Sequence, residues 1–325
     1  MKFKTSIFCA ILLSFQWLPA ETEVYEQGSL KESSKKLTDM ELFNAAVQEM
    51  EHSSWKSALN DFSAIRTAHK ESKVFDDALY FQAVCNYHLM EYDVANKLLT
   101  EYLGSKYKLK FFEDALSYKL AIANKFKEGA KKHLFDSEKF PKWLPAKEDA
   151  LEIYDEIIST IPNHDLAAQA LFEKGTLLQQ LQDFKTSLES FHALIKRFSK
   201  HPLTPDSYLA IGEIYYIQSH SEYRNSDLLE MAQINLKKFI SNFPRDEKVE
   251  KAKKFYNDMR EIHAKGLYDI GMFYERIKKP KASVIYYVTA LEKFPDSPSS
   301  NLCKDRLHNL EGERIDLQVS EKIFN

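Results

Sequence analysis

A small side chain recurs along this chain, and one helical turn later a large apolar one follows it. Ala58, Ala95, Ala150, Ser187, Ala232 and Ser283 are followed four residues on by Phe62, Leu99, Tyr154, Phe191, Leu236 and Tyr287. Upstream of these stands a second set of small residues, Ala46, Ala83, Gly175, Gly212 and Gly271, with Ala121 as a sixth. In four units the two small positions are twelve residues apart: Ala46 to Ala58, Ala83 to Ala95, Gly175 to Ser187 and Gly271 to Ser283. Residues four apart share one face of an α-helix. Two antiparallel helices approach closely only where a side chain is nearly absent, and a large group one turn away fills the groove beside the crossing. Pro162, Pro244 and Pro295 lie twelve residues past the second small position, where proline ends a helix and turns the chain. All ten prolines fall outside the helices assigned this way. The pattern predicts an all-α chain of five to six helix pairs stacked as an α-solenoid.

Composition removes the competing classes. With only 8 Gly and no Gly-x-Gly, the chain lacks the turns that cradle phosphates in dinucleotide and nucleotide folds. A hydrophobic content of 44% is enough for a core. A net charge of −3 offers no footprint for nucleic acid. The histidines stand singly, with no HExxH spacing, and no Gly-x-Ser-x-Gly occurs. Asp76-Asp77 and Glu148-Asp149 fall at expected helix starts, where carboxylates favour the positive dipole end. The sequence therefore reads as non-enzymatic, with no cofactor and no metal.

Residues 1–20 have the form of a signal peptide: Lys2 and Lys4, an apolar run from Ile7 to Leu18, and Pro19-Ala20 before an acidic segment. The reading is an exported chain with a linker over 21–38, N-terminal repeats over 39–128 and middle repeats over 129–202. C-terminal repeats over 203–310 and a polar tail over 311–325 follow. Cys9 has bulky neighbours where lipidation needs small ones, and Cys85 and Cys303 read as buried free thiols. Three segments depart from regular spacing. Phe140-Pro141-Lys142-Trp143-Leu144-Pro145 reads as a loop, Ser219 to Asp227 as a surface excursion, and Asp246 to Lys265, with no breaker except Gly266, as an extra helix running towards Leu267.

The repeat, shown best by residues 79–103, 168–198 and 267–295, resembles the tetratricopeptide repeat. Leu267-Tyr-Asp-Ile-Gly-Met-Phe-Tyr-Glu-Arg, then Ala282-Ser-Val-Ile-Tyr-Tyr and Phe294-Pro-Asp-Ser, is similar to the last repeat of the BamD-type subunits of the outer-membrane β-barrel assembly machinery. That likeness covers roughly residues 39 to 310. It departs from the family in having no lipobox cysteine at Leu18-Pro19-Ala20-Glu21, and in allowing six repeats where the family has five.

The resemblance implies a scaffold at the periplasmic face of the outer membrane, associated with it peripherally. Its implied partners are a BamA-like insertase, other assembly subunits and unfolded outer-membrane proteins. First helices line a concave surface in stacked repeats, placing Phe43, Val47, Tyr80, Val84, Tyr87 and Tyr118 as the peptide-binding row. Tyr274, Arg276 and Lys278 are the implied insertase contacts, with Lys279 and Lys281 as a basic rim. Two other readings stand beside this one: a periplasmic tetratricopeptide adaptor coordinating cell-wall or envelope complexes, and an uncleaved, membrane-anchored scaffold of a secretion system.

Overall fold

The computed structural model describes residues 38–68, 71–105, 109–134, 139–221 and 225–323, and side chains as far as Glu311. The expected signal peptide, most of the linker and Cys9 lie outside the described residues, as does the centre of the excursion after Ser221. Among the described residues are thirteen helices and one two-stranded hairpin. The helices pair as α1 (Asp39–Glu51) with α2 (Trp55–Ala68), α3 (Phe75–His88) with α4 (Tyr92–Leu103), and α5 (Phe112–Lys127) with α6 (Lys147–Thr160). They continue as α7 (Asp165–Gln180) with α8 (Phe184–Arg197), α9 (Leu203–Ser221) with α10 (Ser226–Asn242), and α11 (Lys248–Arg276) with α12 (Pro280–Lys293). A terminal helix, α13 (Pro298–Ile323), follows. The pairs number six. Each helix packs on the next in sequence, and first helices also touch in file, α3 on α5, α5 on α7, α7 on α9 and α9 on α11. That double adjacency is what makes the stack a solenoid.

The small-to-large crossings carry the packing. A Cβ on Gly175 would lie 2.8 Å from the Phe191 ring, and one on Gly271 only 2.3 Å from Tyr287. Phe62, Leu99, Tyr154, Phe191 and Tyr287 are all fully buried, each worth about 1.5–3 kcal/mol of burial. The twelve-residue spacing has a backbone cause. Ser53, Met90, Gln182 and Lys278 hold positive φ of 59°, 63°, 62° and 56°, each seven residues after the first small position and five before the second. Around each, the next residue's N–H bonds a carbonyl five back, as in Glu91 to Asn86 (2.8 Å) and Lys279 to Tyr274 (2.9 Å). This left-handed C-terminal cap reverses the chain in one residue, so consecutive helices meet at a fixed register.

Several expectations need correction. Ala121 is not the sixth crossing residue: counting seven back from the positive-φ turn at Gly129 (108°) reaches Ile122, which is fully buried. In the fifth pair Leu236 is only half-buried. Asn235 faces Gly212 at 3.8 Å and donates to the Tyr208 carbonyl at 2.9 Å, while Phe239 supplies the buried ring. There α9 runs on to Ser221, and the twelve-residue register is absent. Prolines enter helices after all: Pro205 lies in the first turn of α9, and Pro280 and Pro298 open α12 and α13. First-turn residues have no intrahelical N–H bond to lose. The 140–145 segment is not a loop, because β2 (Lys142–Pro145) pairs antiparallel with β1 (Lys131–His133). The extra helix runs through Gly266 and is not a separate element but one with the first helix of the last pair, a 29-residue rod. The tail continues α13 as helix to Ile323. Cys85 and Cys303 are buried free thiols, and burial pushes Cys303 up to about 11.

Alanine outranks glycine in helix propensity, so the two kinds of glycine site should respond with opposite sign. We expect Gly271→Ala to lose about 1–3 kcal/mol through overpacking against Tyr287. Gly212→Ala, whose new methyl meets nothing closer than 3.8 Å, should gain about 0.5–1 kcal/mol. Urea unfolding of the two variants measures both.

Candidate functional site

The predicted N-terminal row divides into core and surface. Tyr80 is 5% exposed and Val84 4%, so both are interior and offer no surface to a ligand. Tyr80 stacks on Phe111 at 4.5 Å, and burial pushes its hydroxyl far above the usual tyrosine range. Their place on the first helix is right, but Phe111, just before α5, covers them. Phe43 is half-buried, edge-on to Phe62 at 5.6 Å and Phe81 at 5.7 Å, and Val47 packs in the same cluster. Tyr87 and Tyr118 meet edge-on at 5.2 Å, each half-buried. Beside them lies a pair the sequence reading missed, the Trp55 and His88 rings stacked at 3.9 Å with a 9° interplanar angle. Trp55 opens α2 and His88 closes α3, so no helical period could connect them. Of the predicted row, Phe43, Val47, Tyr87 and Tyr118 keep partial exposure, and half-buried Trp55 and exposed His88 lie beside the last two.

Between these repeats and the middle ones, the β-hairpin is fastened by one buried histidine. His133 is 5% exposed, and its Nδ1 and backbone N–H approach Asp93 Oδ2 at 2.7 and 3.0 Å. Its Nε2 lies 3.3 Å from Glu91, which also pairs with Lys142 at 2.8 Å. Burial alone would raise the Asp93 carboxyl, but the His133 backbone and ring bonds outweigh it and hold the group below its usual value. These three side chains could hold a cation, yet both imidazole nitrogens already face carboxylates, and the arrangement serves to seat strands between helices.

At the other end, Tyr274 stacks on Tyr286 of α12 at 5.4 Å and a 10° angle, with Phe273 edge-on at 5.6 Å. Phe273 is 51% exposed and Ile285 64%, and Ile277 and Val288 are exposed as well. Arg276, Lys279 and Lys281 are exposed at the turn between α11 and α12. Lys278 is exposed too, but its position is dictated by the positive-φ cap, so its backbone has a structural task whatever its ammonium does. The surface rests on a rigid base. The Tyr287 hydroxyl donates to Glu275 at 2.6 Å, and Glu275 is ion-paired with Arg306 of α13. Burial would raise Glu275, but the bonds from Arg306 and Tyr287 hold it below the usual carboxylate range. Tyr274 thus packs against α12 while Arg276, two residues on, leaves α11 in another direction, and Phe273 and Tyr286 are the neighbours of Tyr274 that no polar-contact reading of this segment names.

Helix pairs repeating every 37 residues, from Ala46 to Ala83 and from Gly175 to Gly212, cross at Gly or Ala with their first helices in file. This is a tetratricopeptide-repeat solenoid. No family model matches the chain, and no curated protein does. Among solved structures, it is similar to a tetratricopeptide repeat protein from Parabacteroides merdae at 13% identity and TM-score 0.41, covering 82% of this chain and 96% of that one. A TPR repeats protein from Bacteroides fragilis matches at 14% identity and TM-score 0.40, covering 84% and 99%. YrrB, described as a TPR protein with an unusual peptide-binding site, matches at 15% identity and TM-score 0.39, covering 67% and 92%. Among the described residues no helix is long and apolar enough to cross a membrane.

The hairpin anchor predicts a pH response. The Asp93 pKa is lower folded than unfolded, so its contribution is present above the unfolded value near 3.8 and lost as pH falls through the folded one. Asp93→Asn should lose about 1–3 kcal/mol at pH 7 and flatten the acid limb of a stability-against-pH curve. Thermal melts of both proteins from neutral to acid pH test this.

Proposed function

We propose that this chain is a non-enzymatic, exported scaffold of outer-membrane protein assembly. It works at the periplasmic face of the outer membrane, to which it attaches peripherally. Its N-terminal repeats receive aromatic-ended segments of unfolded outer-membrane proteins, and its last helix pair docks the barrel insertase. The observation that carries the reading is the stacked Tyr274–Tyr286 pair on α11 and α12 with exposed Phe273 edge-on beside it, while Ile277, Ile285, Val288, Arg276, Lys279 and Lys281 are exposed elsewhere on the same two helices and the turn between them. Aromatic anchors on a helix pair that also exposes charge have the anatomy of an interface, where the anchors set affinity and rim charges set association rate. The setting of barrel assembly is supported by the likeness of residues 267–297 to the last BamD-type repeat. At the N-terminal end the exposed edges of Tyr87 and Tyr118 beside the Trp55–His88 stack are the surface left for a peptide, since Tyr80 and Val84 are interior.

Co-purification of the tagged chain with envelope proteins tests the reading. An insertase of the BamA type should come down. Phe273→Ala should weaken its retention by about tenfold or more, as expected for a central anchor. Arg276→Glu should weaken it most at low salt. Tyr87→Ala should lower affinity for an aromatic-ended C-terminal porin peptide with no effect on insertase retention. Recovery of cell-wall synthesis enzymes in place of the insertase would favour the envelope-adaptor alternative.

A further inference from the structure

The length of α11 creates a site outside the surfaces described so far. The helix packs along α9 and α10 and also along α12. In the angle between α10, α11 and α12 lies a cavity of about 570 Å³, within the range of ordinary ligand sites. Its apolar lining includes Leu229, Leu267, Ile270 and Phe294, while Arg260, His263 and Lys293 bring polar groups to it.

His263 is the group that requires explanation. It is 8% exposed, its Nε2 is shut off from solvent, and that nitrogen has no hydrogen-bond partner. A buried polar atom left unpaired costs about 1–3 kcal/mol. Burial lowers the pKa of this ring and so favours its neutral form, whose Nε2–H tautomer presents a donor to the cavity. Three residues before it, Arg260 reaches an acid only at 4.0 Å, and that partner, Asp296, has a side chain 85% exposed. Lys293 adds a second cation, and Glu230 is the acidic side chain of the lining. Two cations and a buried donor against one carboxylate leave the cavity suited to an anion.

The neighbouring space decides what kind of anion. A second cavity of about 740 Å³ shares Gly266 and Ile270 with the first and leads to Phe273, Tyr274 and Tyr286. The two spaces adjoin at Gly266, which has no side chain, and at Ile270, whose apolar side chain lines both. The groove is open at that end, and a small free anion would leave the apolar walls uncovered.

We propose that the cavity between α10, α11 and α12 binds an acidic side chain of an extended peptide segment belonging to a partner protein. Its carboxylate is held by Arg260, Lys293 and His263 Nε2–H, and the segment continues over Gly266 toward the tyrosine pair. The inference rests on the scaffold reading and adds the chemistry of what that scaffold recognises.

A phage-displayed library of random peptides, selected on the full chain, tests it. The expected binders contain Asp or Glu followed by an apolar or aromatic residue. Their affinity by fluorescence anisotropy should fall tenfold or more on replacing that acid by its amide, and equally on Arg260→Ser. His263→Phe should act in the same direction. Should that variant melt early, Arg260→Ser, partly solvent-exposed, carries the test alone. Enrichment of peptides without an acid, no enrichment, or acidic peptides indifferent to Arg260→Ser would overturn the proposal. Binders lost on Tyr87→Ala and kept on Arg260→Ser would overturn it while leaving the scaffold reading intact. Acidic binders that pass every variant test, with no insertase in the co-purification, would refute only the barrel-assembly setting.

Discussion

Close approach of two helix backbones, made by glycine on one and an aromatic ring on the other, is the contact from which this molecule is built. At Gly271 there is no room for even one carbon, since a methyl would sit 2.3 Å from Tyr287. The same ring's hydroxyl reaches Glu275, which is tied to Arg306, so one side chain locks α12 to α11 and α11 to α13. At Gly175 the crossing is reinforced differently: the Ser187 hydroxyl donates to the Gly175 carbonyl at 2.7 Å inside the core. In the two N-terminal pairs alanine suffices, with Ala46 and Ala58 or Ala83 and Ala95 fully buried.

Those crossings were legible in the sequence because they depend on local spacing. Seven residues from the small position to a positive-φ cap and five more to the next small position are fixed by the backbone, and twelve-residue intervals report them directly. The failures have physical reasons of their own. In the fifth pair the seventh position, Ser219, is still helical, α9 overruns to Ser221, and Asn235 takes the place a large residue would fill. The strand at Lys142–Pro145 owes its form to His133 and to its distant partners Glu91 and Asp93, forty residues earlier in the chain, which no local pattern encodes. Lys119 is another case. It is wholly buried, paired with Glu156 at 2.7 Å and bonded to Thr100 at 2.6 Å, although its sequence neighbourhood reads as an ordinary amphipathic face.

The candidate site was partly legible for the same reason. Helical period put Tyr80, Val84, Tyr87 and Tyr118 on first helices, but could not tell a ring covered by Phe111 from one with an open edge. At the C-terminal end, Gly266 reads as a helix breaker in isolation. Within a 29-residue helix packed along four neighbours it is tolerated, and two cavities adjoin at it. The repeats are thus a spacing device, and the cavity beside His263 arises where α11 runs longer than the other first helices.

A double-mutant cycle at Gly175 and Phe191 addresses the central claim most directly. If the glycine exists to admit the ring, Gly175→Ala should destabilise strongly in the native background and little once Phe191 is Leu, giving a coupling energy of at least about 1 kcal/mol by chemical denaturation. Additive effects, with alanine equally costly beside leucine, would contradict the account.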